Sequence, residues 1–167
     1  SLVIDPTSAP ACVTDVVDVT PVSLAATASV AEGGSIVYTA TLTNPADTAV
    51  TVTLSTGETI TIAAGATTGT VSIAAPVDDP YVDAGSVSRT ISSATGGNFE
   101  SLVIDATAAV TTITDTIDVT TATLTATPSV AEGGTITYTV SLAAPVAGSP
   151  VTVNLANGQV ITIGVGD

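Results

Sequence analysis

The chain has 167 residues, with fifteen Asp and Glu against one Arg, no Lys and no His, for a net charge of −14. Such a surface repels nucleic acid and anionic membranes, which excludes both as partners. Without His or Lys, and with Cys12 the sole cysteine, the chain carries no Ser-His or Cys-His catalytic pair, no Cys-type metal site and no disulfide framework of its own, so an enzyme is not expected.

Apolar residues make up 45% of the chain, mostly Ala and Val, yet no run approaches the roughly 18 unbroken positions of a membrane-spanning helix. They alternate instead with Thr and Ser, the period of a half-buried strand built from β-branched residues. In chain order, alternation and turn residues predict strands over about 20–30, 35–43, 49–55, 58–63, 69–75, 86–93 and 108–117. The turns between them are Glu32-Gly33-Gly34, Asn44-Pro45-Ala46-Asp47, Ser55-Thr56-Gly57, Ala64-Gly65-Ala66, an acidic loop over 76–85, and Thr95-Gly96-Gly97-Asn98. Seven short strands in about 100 residues, with no helical period anywhere, predict a two-sheet sandwich of immunoglobulin type. Arg89 has the parity of the inward-facing Val87 and Ile91, so either a bulge turns it outward or it pairs with a carboxylate at the sheet margin.

The pattern repeats. Ser1-Leu2-Val3-Ile4-Asp5 returns at 101–105 and Ser29-Val30-Ala31-Glu32-Gly33-Gly34 at 129–134; across 1–48 and 101–148, 26 of 48 pairs are identical at an offset of 100. One inserted residue near Gly148 restores the match, aligning Leu54-Ser55-Thr56-Gly57 with Leu155-Ala156-Asn157-Gly158. Self-similarity at this level signals tandem copies of one unit. The expected organisation is 1–18 as the last strand of a preceding repeat, 19–118 as a complete repeat, and 119–167 as the first half of the next.

Consecutive strands of an up-and-down sandwich run in alternate directions. The turns after the first, third and fifth strands therefore share a pole with the exit of the seventh. That pole collects Glu32, the group Asp78, Asp79 and Asp83, and the pair Asp115 and Asp118, where one copy passes into the next. Carboxylates brought this close repel unless a cation bridges them. Oxygen donors with no His or Cys select a hard ion, and Ca²⁺, with its flexible, high coordination number, suits such a set better than Mg²⁺. The spacing does not match an EF-hand, so the site has to be assembled from distant segments.

These residues carry a resemblance. Ser-Val-Ala-Glu-Gly-Gly-Ser-Ile-Val-Tyr-Thr-Ala-Thr-Leu-Thr-Asn-Pro (29–45), the stretch 68–83 with its Val-Asp-Asp-Pro-Tyr-Val-Asp end, and Gly-Gly-Asn-Phe-Glu-Ser-Leu-Val-Ile-Asp (96–105) resemble the extender repeats of large RTX-type, type-I-secreted bacterial adhesins that hold biofilms on surfaces. The order of segments is also similar to a Calx-β domain: a Glu after the first strand, an acidic loop after the fifth, and an acid-ended last strand. That resemblance implies ligand roles for Glu32, Asp78, Asp79, Asp115 and Asp118. The chain departs from Calx-β at its last strand, where Asp115-Thr116-Ile117-Asp118 replaces an unbroken acidic run.

The expected function is a structural spacer in an extracellular, cell-surface or secreted adhesin fibre, its neighbours being further repeats of the same chain and its junctions stiffened by Ca²⁺. The alternative is a self-assembling extracellular filament whose open sheet edges pair with neighbouring chains by strand exchange. Threonine pairs such as Thr51/Thr53 and Thr59/Thr61 are read as solvated strand faces rather than a ligand surface.

Overall fold

The computed structural model describes residues 12–167, all of them in strands, turns and loops. Fourteen strands form in chain order: β1 (Val19–Ala26), β2 (Ser29–Ala31), β3 (Ser35–Leu42), β4 (Val50–Leu54), β5 (Thr59–Ile62), β6 (Thr68–Ala74), β7 (Gly85–Arg89), β8 (Ile91–Gly96), β9 (Ser101–Ile104), β10 (Ala109–Thr114), β11 (Ala122–Ala126), β12 (Tyr138–Leu142), β13 (Val151–Asn154) and β14 (Val160–Ile163). The protein is all-β, built as β-sandwich repeats. No helix of the described residues is long and apolar enough to cross a membrane.

Two compact units form: residues 12–28, 36–73 and 88–111 make one, and 29–35, 74–87 and 112–167 make the other. The first holds two sheets, ordered β6-β3-β1-β9 and β5-β4-β8. Alternation decides their inner faces. Val22, Ile36, Tyr38, Ala40 and Leu42 from one sheet and Val50, Val52, Leu54, Ile60 and Ile62 from the other are all buried, while the Thr and Ser between them lie mostly on the outer faces. With each fully buried Val, Leu or Ile contributing about 1.5–3 kcal/mol, this inner layer is the main source of the unit's stability. The chain has no Trp and one Phe, so Tyr38 is the largest fully buried side chain.

Two predicted strands are interrupted, for one physical reason: a strand that moves from one sheet to another has to break its ladder. The first predicted strand, 20–30, is β1 and β2. β1 pairs antiparallel with β3 and parallel with β9, whereas β2 pairs parallel with β10. At the break the Thr27 hydroxyl oxygen accepts the Val37 N–H at 3.1 Å, a side chain completing the ladder. The last predicted strand, 108–117, is β10 unbroken, and β9 has no counterpart among the seven predicted strands. The sixth, 86–93, splits at Thr90 into β7, in the sheet β2-β10-β7, and β8, in β5-β4-β8. A register shift at Thr53/Leu54 marks a bulge where β4 meets β8.

That split also decides Arg89. Parity cannot be carried across a strand that changes sheets, and Arg89 ends β7 half-buried, its Nη1 donating to the Ser88 carbonyl at 3.1 Å and its Nε without a partner.

In the second unit, β11 pairs with β12 and β13 with β14 in two antiparallel hairpins. The same unit contains the segments that carry the acidic residues.

Candidate metal centre

Backbone hydrogen bonds build the acidic site before any side chain is placed. The Glu32 N–H donates to Thr114 O at 3.1 Å, Gly33 N–H to Pro76 O at 2.7 Å, and Ala75 N–H to Gly34 O at 2.9 Å. The turn after β2 is thereby tied to the end of β10 on one side and to the start of the 76–83 loop on the other. Glycine is required here. Gly33 sits at φ +68° with Asp78 Cβ 3.5 Å from where its own Cβ would stand, and a Cβ on Gly34 would lie 2.8 Å from Ala31 O and 2.6 Å from Val30 Cγ2. The turn doubles back so tightly that only a residue without a side chain follows Glu32.

Three carboxylates converge on this frame. Oxygen atoms of Glu32, Asp83 and Asp115 lie within 4.8 Å of one another. Glu32 is only 7% exposed, Asp115 is half-buried and Asp83 is exposed. Glu32 Oε2 and Asp115 Oδ1 are both buried with no hydrogen-bond partner. Two orphaned acceptor oxygens in one cluster are unusual, since buried acceptors are nearly always satisfied and leaving one unpaired costs about 1–3 kcal/mol. Glu32 accordingly holds its proton up to about pH 7, first because it shares a hydrogen bond with Asp83, then through burial, then through the charges of Asp83, Asp115 and Asp79. The chain's one Arg contributes nothing to neutralise the group: among the described residues no ion pair reaches it.

The other three predicted ligands lie nearby and are differently engaged. Asp78 Oδ1 accepts a hydrogen bond from the Thr116 hydroxyl. Asp79 Oδ1 accepts the Tyr81 N–H at 2.9 Å, which folds the loop into a turn around Pro80. Asp118 is exposed and lines a small recess with Asp115, Thr116, Ile117 and the Pro80-Tyr81-Val82 stretch. Sequence reasoning passed over Thr116 and Tyr81. Both sit among the acids of the 108–118 and 76–85 segments as neutral residues, so no sequence signal singled them out.

The donor set fits a hard cation. Three carboxylates with two unpaired oxygens offer oxygen ligands alone, the chemistry that divalent Ca²⁺ or Mg²⁺ takes and that softer metals do not favour. An ion here would satisfy Glu32 Oε2 and Asp115 Oδ1 and remove the mutual repulsion of the three groups.

Comparison with known proteins returns one family. A family model, the LapA domain, matches residues 18–116 and again 118–167; LapA is a large adhesin involved in biofilm. No curated protein and no solved structure matches the chain.

Proposed function

The chain belongs to the LapA-domain family, and from that premise we propose that it is a structural spacer of an extracellular adhesin fibre serving surface attachment and biofilm formation, its repeats stiffened by Ca²⁺ where one copy gives way to the next. The observation that carries the calcium part is the buried Glu32 carboxylate, with an unpaired oxygen beside Asp83 and Asp115. These residues come from three segments far apart in sequence, and Asp115 stands three residues before the end of the first copy. A cation held by all three fixes the 76–83 loop and the end of β10 to the turn after β2. Without it, like charges push the same segments apart. Asp78, Asp79 and Asp118 supply further carboxylates at the margin of the cluster. The role is mechanical rather than catalytic, as the lack of His and Lys already indicated.

Extracellular calcium modules bind at about 10⁻⁴–10⁻³ M, so the ion is a folding ligand at millimolar concentration. Melting the chain in EDTA and in CaCl₂ tests this. At a free concentration 100 times Kd the gain is about 2.7 kcal/mol, a rise of several degrees in Tm. An unchanged Tm across that range removes the calcium reading and leaves the adhesin-family assignment intact.

A further inference from the structure

A side chain of the first copy is seated on the second. The Tyr81 hydroxyl donates to the carbonyl of Pro145 at 2.9 Å, and Pro145 is the offset-100 counterpart of Pro45. The two proline turns are built alike. Ala46 N–H donates to Ala66 O at 3.1 Å and Gly65 N–H to Ala46 O at 2.6 Å; Val146 N–H donates to Asp167 O at 3.1 Å and Gly166 N–H to Val146 O at 2.9 Å. What seats on the Pro145 turn therefore indicates what the Pro45 turn accepts.

At Pro45 a second wall is present. Asp47 N–H donates to Gly97 O at 3.1 Å, Asn98 Nδ2 donates to Asp47 Oδ2 at 3.1 Å, and Asp18 N–H donates to Glu100 Oε2 at 2.6 Å. These bonds staple the 97–100 loop alongside the proline turn. Between them lies a recess of about 270 Å³ lined by Asp18, Pro45, Asp47, Asn98, Phe99 and Glu100 among others. Its volume is below the roughly 300–1,000 Å³ typical of small-molecule sites, a size suited to one large side chain and its flanks. Its polar lining is rich in acceptors, with the carboxylates of Asp18, Asp47 and Glu100, so it favours a neutral hydrogen-bond donor with an apolar body. A tyrosine fits that description, with an apolar ring to set against Phe99 and a hydroxyl to donate.

We propose that the Pro45 recess is the socket for the Asp79-Pro80-Tyr81-Val82 loop of the preceding repeat, whose tyrosine latches consecutive copies together. The proposal rests on the tandem-array reading of the previous section and adds a second tie beside the cation. The two cooperate. The incoming loop brings Asp79 and Asp83 towards Asp18, Asp47 and Glu100, and neutralising the loop's acidic cluster lowers that repulsion.

The test uses a chain lengthened by one copy of residues 19–118 placed directly before residues 19–167, which contains no native cysteine. Pro80→Cys in the added copy is combined with Asn98→Cys in the copy that follows, and disulfide formation is timed under mild oxidation, with circular dichroism confirming the fold. The pair is expected to close about tenfold faster than a control pairing Pro80→Cys with Thr56→Cys, because a seated loop raises the local concentration of one thiol near the other. Tyr81→Ala in the added copy should bring the rate down to that of the control. Equal rates for the Asn98 and Thr56 pairs overturn the latch. A calcium titration of melting on the same chain reports the cation separately, so a latch that fails while melting still responds to Ca²⁺ leaves the metal reading standing.

Discussion

The two copies carry nearly the same strand pattern and bury it to very different extents. Ile36 is 1% exposed and its counterpart Ile136 is 50% exposed; Val50 is fully buried and Val151 is 38% exposed. Tyr38 is fully buried, whereas Tyr138 is half-buried. The hairpin registers are the same: Val22↔Leu42 through Ala26↔Tyr38 in the first copy, Ala122↔Leu142 through Ala126↔Tyr138 in the second. Even the threonine that completes the ladder recurs, with Thr127 hydroxyl accepting Thr137 N–H at 3.0 Å. Local pairing is therefore written into 50 residues, whereas burial depends on further strands: in the first copy β6 and β9 flank the β3-β1 pair and β8 extends the β5-β4 sheet. Alternation specifies which side chains face inward; it does not supply the surface that covers them.

The largest expected consequence is in the core. Ile60→Ala should cost about 2–5 kcal/mol, while Ile161→Ala, at a half-buried position, should cost about 1 kcal/mol or less. Native-state hydrogen exchange of the strand amides in each copy reads the two separately. Similar costs would show that the second copy owns a core of equal quality.

The next contrast concerns the glutamates. Glu32 is buried against Asp83 and Asp115, and Glu132 is exposed. Glu32→Gln should abolish most of the calcium-induced rise in Tm, whereas Glu132→Gln should leave it unchanged. In EDTA at pH 8 the Glu32→Gln chain should melt no lower than the wild type, since the change removes repulsion along with a ligand. A variant that keeps the full calcium response moves the site away from Glu32.

The same group sets a pH dependence. Glu32 is raised from 4.5 to about 7 in the folded, metal-free chain. The folded state therefore binds the proton more tightly than the unfolded one. Its contribution is complete below about pH 4.5 and is lost as pH rises to about 7. Metal-free Tm should decline over that window, Glu32→Gln should flatten the decline, and saturating Ca²⁺ should offset it at the upper end. Melting curves at half-unit pH steps check all three.

The smallest effect is at the tyrosines. The Tyr38 hydroxyl is buried without a partner, and burial raises its pKa. Tyr38→Phe should stabilise the chain by about 1 kcal/mol by removing that unpaired group. Tyr138→Phe should fall within about 0.5 kcal/mol of zero, by urea unfolding.

Much of the fold was legible because strands announce themselves through period-2 alternation and glycine turns. Strands β3, β4, β5 and β6 fall within a residue or two of their predicted bounds, and Val50, Val52, Leu54, Ile60 and Ile62, which alternate with Thr in the sequence, are all buried. The breaks were not legible. Nothing in the alternation of 86–93 indicates that Thr90 is where the chain passes between sheets, and the Ser101–Ile104 strand forms because β1 offers it a parallel edge. For the acidic site, composition and strand parity gathered six carboxylates at one pole. They could not tell which oxygens would meet.

The sequence by itself determined the all-β repeat, the sign of its charge, the inward face of the unbroken strands β3, β4 and β5 and the oxygen-only chemistry available to a cation, because these follow from residue type and spacing along a single segment. Tertiary structure alone decided that Glu32, Asp83 and Asp115 share a space less than 5 Å across, that Asp78 meets Thr116, and that Tyr81 reaches Pro145. Those outcomes depend on where chain segments 30 to 80 residues apart come to rest, and that is fixed by sheet pairing rather than by any local pattern.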